Sequence, residues 1–145
     1  MVKTLGPQAM KFSEGQRVGI GWIGSACGKC PACKRRLDNL CPDFKATGRD
    51  LPGGYAQYVD VAEDFAFSIP DIFSDAQAAP LLCAGAIGYR SLRLTGLTDG
   101  QPFGLTGFGA SAHLVLHLAR HLYAHSEVFV FARSERERKF ALDLG

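Results

Sequence analysis

Residues 103–113 read Phe-Gly-Leu-Thr-Gly-Phe-Gly-Ala-Ser-Ala-His, and this stretch decides the fold class. Its first four residues form a short apolar run that predicts a buried strand, and the residues after the glycines predict a helix over 111–123. Further along the chain, Glu127–Ala132 contains the run Val-Phe-Val-Phe and predicts a second strand, whereas the charged stretch 134–144 predicts a second helix. This strand–helix–strand–helix order is typical of a parallel sheet in an α/β fold.

The glycines of this stretch form the pattern G-x-G-x-x-A at a strand-to-helix junction, the context that a dinucleotide-binding turn requires. In that interpretation Gly107 makes the tight turn, Gly109 lets a pyrophosphate approach the backbone, and Ala112 still permits close packing of helix and strand. The N–H groups at the helix N-terminus would bind the phosphates. The alternative is a plain glycine turn. The candidate cofactor-binding residues here are Gly107, Phe108, Gly109, Ala110, Ser111 and Ala112.

The residues after the second predicted strand indicate which dinucleotide binds. An acidic residue at this place holds the ribose 2′-hydroxyl of NAD, but the sequence has Ala132-Arg133-Ser134. Because arginine can pair with the 2′-phosphate of NADP, we expect Arg133 and Ser134 to bind the cofactor, and NADP to be preferred over NAD. The alternative is that Arg133 only belongs to the solvated charged run 133–139.

The N-terminal half has a different character, because residues 11–70 are rich in predicted β-strands. Strands are expected at Gln16–Ile20, at Tyr55–Val61, where apolar and polar residues mostly alternate, and at Phe65–Ile69. The residues that follow are rich in Ala and Leu, which predicts helical structure over 75–94, with Ser74 or Asp75 as the cap and a second segment that begins at Pro80.

Four of the five cysteines interrupt this β-rich part, in an excursion over residues 25–44. They are spaced C-x2-C-x2-C-x7-C, and two-residue gaps let neighbouring thiolates reach one ion. Zinc takes four ligands in a tetrahedron and binds thiolates well, so the spacing predicts one structural Zn²⁺. The predicted metal ligands are Cys27, Cys30, Cys33 and Cys41.

Two alternatives to zinc remain at this point. Bacterial ferredoxins carry C-x2-C-x2-C-x3-C-P, and Cys41 is also followed by a proline, but the last gap here is seven residues. An iron–sulfur electron carrier is therefore less favoured than a closed zinc site. Free or disulfide-bonded cysteines are the other alternative, and they are disfavoured because no secretion signal accompanies the cluster.

Composition excludes several classes of protein. The 145 residues include 16 basic and 14 acidic side chains, for a net charge of +2, which does not argue for nucleic acid as a partner. A hydrophobic content of 47% is too high for a disordered chain. The longest stretch without charged residues, 100–119, is interrupted by glycines and histidines, so no membrane helix is predicted. The N-terminus lacks an apolar signal core, and we expect a cytoplasmic protein.

Four histidines recur every four residues, at 113, 117, 121 and 125. This spacing would place the first three along one side of the predicted helix, beside its apolar stripe, with His125 past the helix end. An i, i+4 histidine pair can bind a metal, but no carboxylate or cysteine is interleaved, so a solvated row is the favoured interpretation.

Taken together, these motifs resemble the zinc-dependent alcohol dehydrogenases of the medium-chain dehydrogenase/reductase superfamily. Besides the four cysteines, the matching segments occur in family order along essentially the whole chain. They are G-Q-R-V-G-I-G-W from Gly15, T-G at Thr47, G-G-Y-A-Q-Y-V from Gly53, I-P-D from Ile69, A-P-L-L-C-A-G from Ala79 and G-F-G-A-S-A-H from Gly107.

The resemblance implies a specific architecture. It is an α/β chain with a β-rich part: residues 1–72 as the C-terminal portion of a GroES-like catalytic domain with its zinc lobe over 25–44, and residues 73–145 as a linker helix and the first β-α-β-α of a Rossmann fold. It also implies a structural zinc on the four-cysteine lobe. Cys83 matches a ligand of a separate catalytic zinc in the family, whereas an apolar helix alone would favour a buried core thiol.

The implied activity is hydride transfer between an alcohol or aldehyde and NADP or NAD. The remaining catalytic-zinc ligands of the family have no counterpart in this sequence, so we expect a partial enzyme that is inactive alone and possesses no catalytic residue beyond Cys83. The alternatives are a non-catalytic zinc-binding remnant or interaction module and, less favoured, the iron–sulfur carrier. Half-built domains bury little apolar surface, and the sheet edge after residues 127–132 is unpaired, so a homo-oligomer is a further expectation.

Overall fold

Short antiparallel strands form the scaffold of the N-terminal part of the chain. Strand β1 (Val18–Ile20) pairs with β4 (Ala66–Ser68), and strand β2 (Ile23–Ser25) pairs with β3 (Lys45–Ala46). Gly19 lies in the middle of β1, where an added Cβ would stand 2.7 Å from a Leu82 methyl and 2.8 Å from the Ile69 methyl. A glycine is thus required here by the close approach of these side chains.

Short helical segments connect these strands. Helix α1 (Pro31–Lys34) lies in the cysteine excursion, and helix α2 (Asp75–Ala78) follows the last strand; 3₁₀ turns cover Asp38–Leu40, Glu63–Phe65 and Ala79–Leu82. Helix α2 begins at a capping box: the Ser74 hydroxyl accepts from the Gln77 backbone N–H, and the Gln77 side chain accepts from the Ser74 backbone N–H.

A parallel strand pair with helices follows. The elements are α3 (Ala84–Leu94), β5 (Phe103–Thr106), α4 (Ala110–Leu122), β6 (Val128–Phe131) and α5 (Glu135–Asp143). Strands β5 and β6 are parallel and in register from Phe103 opposite Val128 to Thr106 opposite Phe131. One buried cluster contains Leu92, Val115 and Ala119, and a second contains Phe108, Leu116 and Ala141.

The computed structural model describes all residues 1–145, and they divide into two compact units, Met1–Leu82 and Cys83–Gly145. The fold is α/β, as predicted, with the strands of the second unit parallel. No helix combines the length and the apolar character needed to span a bilayer.

The sequence analysis predicted one strand that the structure does not contain, and it missed two others. Residues 55–61 form no strand, and Tyr55 and Tyr58 are both exposed, because the segment has neither a pairing strand nor a packed face. The short hairpin of β2 and β3 was missed, since two or three residues are too few to show an alternating pattern. The helical structure predicted over 75–94 is present as α2, a 3₁₀ turn and α3, so the expected division near Pro80 is confirmed, although the second α-helix begins only at Ala84.

Gly88 sets the closeness of α3 and α4, and it generates the first prediction. A Cβ on this buried glycine would meet Val115 Cγ2 at 2.6 Å. Overpacking typically costs about 1–3 kcal/mol, whereas the helix propensity of alanine returns up to about 1 kcal/mol. We expect Gly88→Ala to lower the free energy of unfolding by about 1 kcal/mol in urea titrations. The same substitution in a Val115→Ala background should be neutral or stabilising; equal destabilisation in both backgrounds would contradict this packing argument.

An ion pair joins the loops that precede β5 and β6. His125 donates its backbone N–H to Asp99 Oδ1 at 2.9 Å, and its Nδ1 lies 2.6 Å from Asp99 Oδ2. The hydrogen bond between the two side chains raises the pKa of His125 and lowers the pKa of Asp99. Both members of the pair are therefore charged over a wider pH range than they would be without this hydrogen bond.

A second prediction concerns the pH dependence of this pair. The raised pKa of His125 makes its stabilisation complete below the ordinary value of about 6.5, and this is lost as pH rises through the folded-state pKa. The lowered pKa of Asp99 makes its stabilisation present above about 3.9, and this is lost as pH falls through the folded-state pKa. We expect the melting temperature of the wild type to exceed that of Asp99→Asn most between about pH 4 and 6.5. A gap that widens toward pH 9 would contradict the assignment.

Candidate functional site

The cysteine excursion folds back on itself, so that its four thiols converge. Cys30 caps the N-terminus of α1, and its sulfur accepts from the Cys33 backbone N–H at 3.5 Å. Gly28 has φ +70°, a left-handed turn that suits glycine between the first two cysteines. The 3₁₀ turn at Asp38–Leu40 then returns the chain, and Cys41 is buried with 2% of its surface exposed.

The sulfur geometry fits a single tetrahedral ion. All four Sγ atoms lie within 4.8 Å of one another, and those of Cys30 and Cys33 are 3.6 Å apart. A zinc–sulfur bond of about 2.3 Å in a tetrahedron places sulfurs about 3.8 Å apart, so small side-chain adjustments would close the shell. Four thiolates and no open position are typical of a structural rather than a catalytic zinc site.

The surroundings of the thiols affect their pKa values in opposite directions. Backbone N–H groups, first that of Lys29 and then that of Cys30, lower the pKa of Cys27 to about 7. Burial, and next its hydrogen bond with Asp38, raises the pKa of Cys33. Neighbouring thiolates repel one another, so all four ionise together only around a cation. The four cysteines are therefore a donor set suited to a divalent metal.

Basic residues surround this cluster on the lobe surface. Lys29, Lys34, Arg35 and Arg36 all have exposed side chains, and their positive charges could offset the negative charge of a tetrathiolate zinc centre. None of them forms an ion pair with an acidic side chain. The lobe thus presents positive charge around a site whose bound form is negative.

The glycine turn lies where the sequence analysis placed it, between β5 and α4. Gly107 has φ +80°, and its N–H donates to the Phe131 carbonyl at 2.8 Å, which ties the turn to β6. Gly109 is the N-cap of α4, and no side chain caps the helix. Built Cβ atoms on Gly107 and Gly109 would meet nothing within 4 Å. The free N–H groups of α4 therefore face open space, as an anion-binding helix terminus requires.

The end of β6 carries the two residues predicted to select the cofactor. Arg133 is exposed and has neither a hydrogen bond from its side chain nor an ion pair. The Ser134 hydroxyl accepts from the Glu137 N–H at 3.2 Å and lies 3.0 Å from Glu137 Oε2, so it serves as the N-cap of α5. Arg133 is free to bind an anion, whereas the Ser134 hydroxyl already has a structural role.

Comparisons with known proteins agree with this arrangement. The family model of the alcohol dehydrogenase GroES-like domain matches residues 1–71. The probable alcohol dehydrogenase AdhA of Mycobacterium tuberculosis is 48% identical over 135 residues, which make up 93% of this chain and 38% of that protein. An alcohol dehydrogenase of Geobacillus stearothermophilus is 36% identical over 131 residues, 90% of this chain and 38% of that protein.

Solved structures extend the likeness to nearly every residue. The CAD of Helicobacter pylori, complexed with NADP(H), has a TM-score of 0.88 and 31% identity, with 99% of this chain and 43% of that chain covered. A cinnamyl alcohol dehydrogenase of Sorghum bicolor has a TM-score of 0.88 and 30% identity over the same shares. The chain belongs to the zinc-type medium-chain alcohol dehydrogenase family. It spans about two fifths of the length of these relatives.

Cys83 stands apart from the other cysteines. It is exposed and immediately precedes α3, rather than being the buried core thiol that an apolar helix suggests. The only cluster of three or more histidine, cysteine or acidic side chains placed to share an ion is the four-cysteine group. Cys83 is thus a single candidate ligand.

The histidine row at 113, 117, 121 and 125 does not converge on a metal site. The rings of His113 and His117 are 6.4 Å apart, and His113 also packs against Phe140. His117 and His121 are exposed. His125 lies past the end of α4, as predicted, and binds Asp99 instead.

One residue that sequence reasoning missed is Arg138, which it counted only within the charged run. Its Nη1 donates to the carbonyls of Ala132 and Arg133, at 2.9 and 2.8 Å. The spacing of this arginine from the serine could have revealed it. An arginine four residues after a serine N-cap can reach back over the first turn to carbonyls that precede the helix.

The lobe generates the third prediction. We expect the purified chain to hold one zinc ion, to be colourless and to lose the ion in Cys41→Ser, whose missing thiolate opens the tetrahedron. Cys83→Ser is the matched control, because it removes a cysteine outside the lobe and should retain the ion. Since binding of a structural metal contributes directly to folding, metal removal should also lower the melting temperature of Cys83→Ser but not of Cys41→Ser. Metal analysis by mass spectrometry and absorbance checks both points; iron with a brown colour would contradict the zinc assignment.

Proposed function

We propose that this chain supplies the structural-zinc lobe and the cofactor turn of a dehydrogenase that transfers hydride between an alcohol or aldehyde and NADP. The observation that carries the proposal is the uncapped N-terminus of α4, which opens into free space at the carboxyl end of β5. Ligands of open α/β sheets bind at such strand ends. The family and the NADP(H) complex of the Helicobacter pylori relative support the choice of ligand.

The proposed domain organisation follows from the family. Residues 1–72 would form the C-terminal portion of a GroES-like catalytic domain that includes the lobe over 25–44. Residues 73–145 would form a linker helix and the first β-α-β-α of a Rossmann fold. The parallel register of β5 and β6 supports the second assignment, because α4 makes the crossover between them.

The lobe cysteines would act in structure rather than in chemistry. Cys27, Cys30, Cys33 and Cys41 would hold zinc with all four positions filled, so no substrate atom could reach the ion. Bound zinc would join the β2 end of the excursion to its return at Cys41, two ends that otherwise share only hydrogen bonds such as the one from Cys27 N–H to Cys41 Sγ, 3.4 Å long.

The cofactor turn would bind the pyrophosphate and the adenosine ribose. The residues proposed for the pyrophosphate are Gly107, Phe108, Gly109, Ala110, Ser111 and Ala112. Among them, Gly109 gives the phosphates access to the free N–H groups of α4, and buried Phe108 fixes the turn against the core. Arg133 would pair with a 2′-phosphate, and Ser134 would order the turn as the N-cap of α5.

Cys83 is proposed as one ligand of a catalytic zinc. Such a site takes three protein ligands and keeps one open position. When bound, the ion lowers the pKa of an alcohol hydroxyl, and the nicotinamide accepts the hydride. Because Cys83 belongs to no group of three or more candidate ligands within residues 1–145, we propose that this stretch does not oxidise alcohols by itself.

A non-catalytic zinc-binding module is the second candidate. The observation that favours it is the contrast between a complete four-sulfur cluster and an isolated Cys83. Self-association of the chain stays a prediction. The apolar surface that could take part in it includes Phe129 and Phe131, which are exposed on one face of β6. An iron–sulfur carrier is tested by the colour and metal content described above.

The fourth prediction separates the two candidates by cofactor binding. We expect the wild-type chain to bind NADPH about tenfold more tightly than NADH, because a charge-assisted hydrogen bond contributes roughly 1.5–3 kcal/mol. Arg133→Ala should remove the preference, whereas Gly109→Val should weaken both cofactors, since its side chain would fill the space above α4 without requiring a positive φ. Lys139→Ala is the charge-matched control on α5. Calorimetry measures all four, and binding of neither cofactor by the wild type would favour the zinc-binding module.

A further inference from the structure

We propose that Arg138 is the positioning residue of the turn between β6 and α5, and that it makes the preference for a 2′-phosphorylated adenosine possible by holding Arg133 in place. The inference rests on the proposed function for its ligand, a ribose bearing a 2′-phosphate. It adds a residue whose part in selection is indirect, since Arg138 binds the backbone of the turn.

The geometry of Arg138 carries the inference. Its Nη1 bears two hydrogens and lies 2.9 Å from the Ala132 carbonyl and 2.8 Å from the Arg133 carbonyl. Two successive peptide groups are therefore bound by one guanidinium, and both orient the residue between them. Because a cationic donor is used, these bonds are stronger than those between neutral groups.

A second contact holds the same turn from its other side. The Ser134 hydroxyl caps α5 through the Glu137 N–H, and the Arg138 N–H donates to the Ser134 carbonyl at 3.2 Å. The backbone is thus held at Ala132, Arg133 and Ser134 in succession. Only the Arg133 side chain leaves the turn without a partner.

This arrangement reduces the cost of recognising a phosphate. An unrestrained arginine on a mobile turn loses both backbone and side-chain freedom on binding an anion, whereas a turn that is already ordered loses only the latter. The contribution of Arg138 must therefore appear in the ratio of affinities for ligands with and without a 2′-phosphate, because only ligands with that phosphate would bind Arg133. The pyrophosphate site at Gly107 and Gly109 should be little affected.

The test compares adenosine 2′,5′-bisphosphate with adenosine 5′-monophosphate, which differ only by the 2′-phosphate. Binding to the full ¹⁵N-labelled chain is followed by NMR titration. We expect Arg138→Met, which keeps the length of the side chain but has no donor, to reduce the affinity ratio of the two ligands at least fivefold, while affinity for the monophosphate changes less than about twofold. Arg138→Lys should restore most of the ratio, because an ammonium can donate to both carbonyls. Lys139→Met removes a charge from the same helix and should leave the ratio unchanged.

A readout without ligand separates positioning from direct contact. Backbone ¹⁵N order parameters of Arg133 and Ser134 should fall in Arg138→Met and recover in Arg138→Lys. Unchanged order in Arg138→Met would overturn the inference, as would an equal loss of affinity for both ligands. If Arg138→Met does not fold, Arg138→Lys decides the question. A disordered turn with a wild-type affinity ratio in that variant would mean that the charge at 138 contacts the phosphate itself, and this result would also overturn the inference. A wild type that does not distinguish the two ligands would instead refute the proposed NADP site, and the order parameters would still report whether Arg138 holds the turn.

Discussion

The convergence of four cysteine sulfurs is the constraint on which the cysteine excursion of the first unit depends. The sulfurs of Cys27, Cys30, Cys33 and Cys41 lie within 4.8 Å of one another, and this closeness is unfavourable for the ionised thiols unless a cation lies among them. The peptide N–H groups that lower the pKa of Cys27 supply only part of the positive charge needed. The excursion between β2 and β3 has little apolar core, with Cys41 as its buried residue, so the metal would replace the core that the sequence does not provide.

The helices of the second unit differ in whether a side chain caps the backbone N–H groups at their N-termini. Helix α5 has a serine N-cap, whereas α3 begins after Cys83 and α4 after Gly109 with no side-chain cap. An uncapped terminus leaves backbone N–H groups without partners, which is unfavourable in isolation and favourable once an anion binds. What sets α4 apart from α3 is the pair Gly107 and Gly109 before it, where an added Cβ would meet nothing within 4 Å, and this open space makes its N-terminus the candidate binding terminus.

Local patterns made most of the second unit predictable from the sequence. Strand β5 was predicted to the residue, and β6, α4 and α5 within one residue at each end, because apolar runs and glycine turns act over a few neighbours. The prediction of a strand at 55–61 was wrong. An alternating pattern shows which side chains could share a face, but a strand also needs a neighbouring strand with which to pair. Arg138 was missed for a similar reason: its bonds to carbonyls five and six residues away depend on where the turn places them.

The same distinction between local and distant partners governs which sites this chain can complete. The four lobe cysteines lie between residues 27 and 41, and the cofactor turn and Arg133 lie between 107 and 133, so each constellation is assembled by one short supersecondary unit. Cys83 is different, because a catalytic zinc needs ligands that its own helix α3 does not present. The two proposed recognition sites are therefore local to one short segment each, whereas the catalytic zinc proposed at Cys83 would depend on ligands that are not local to it.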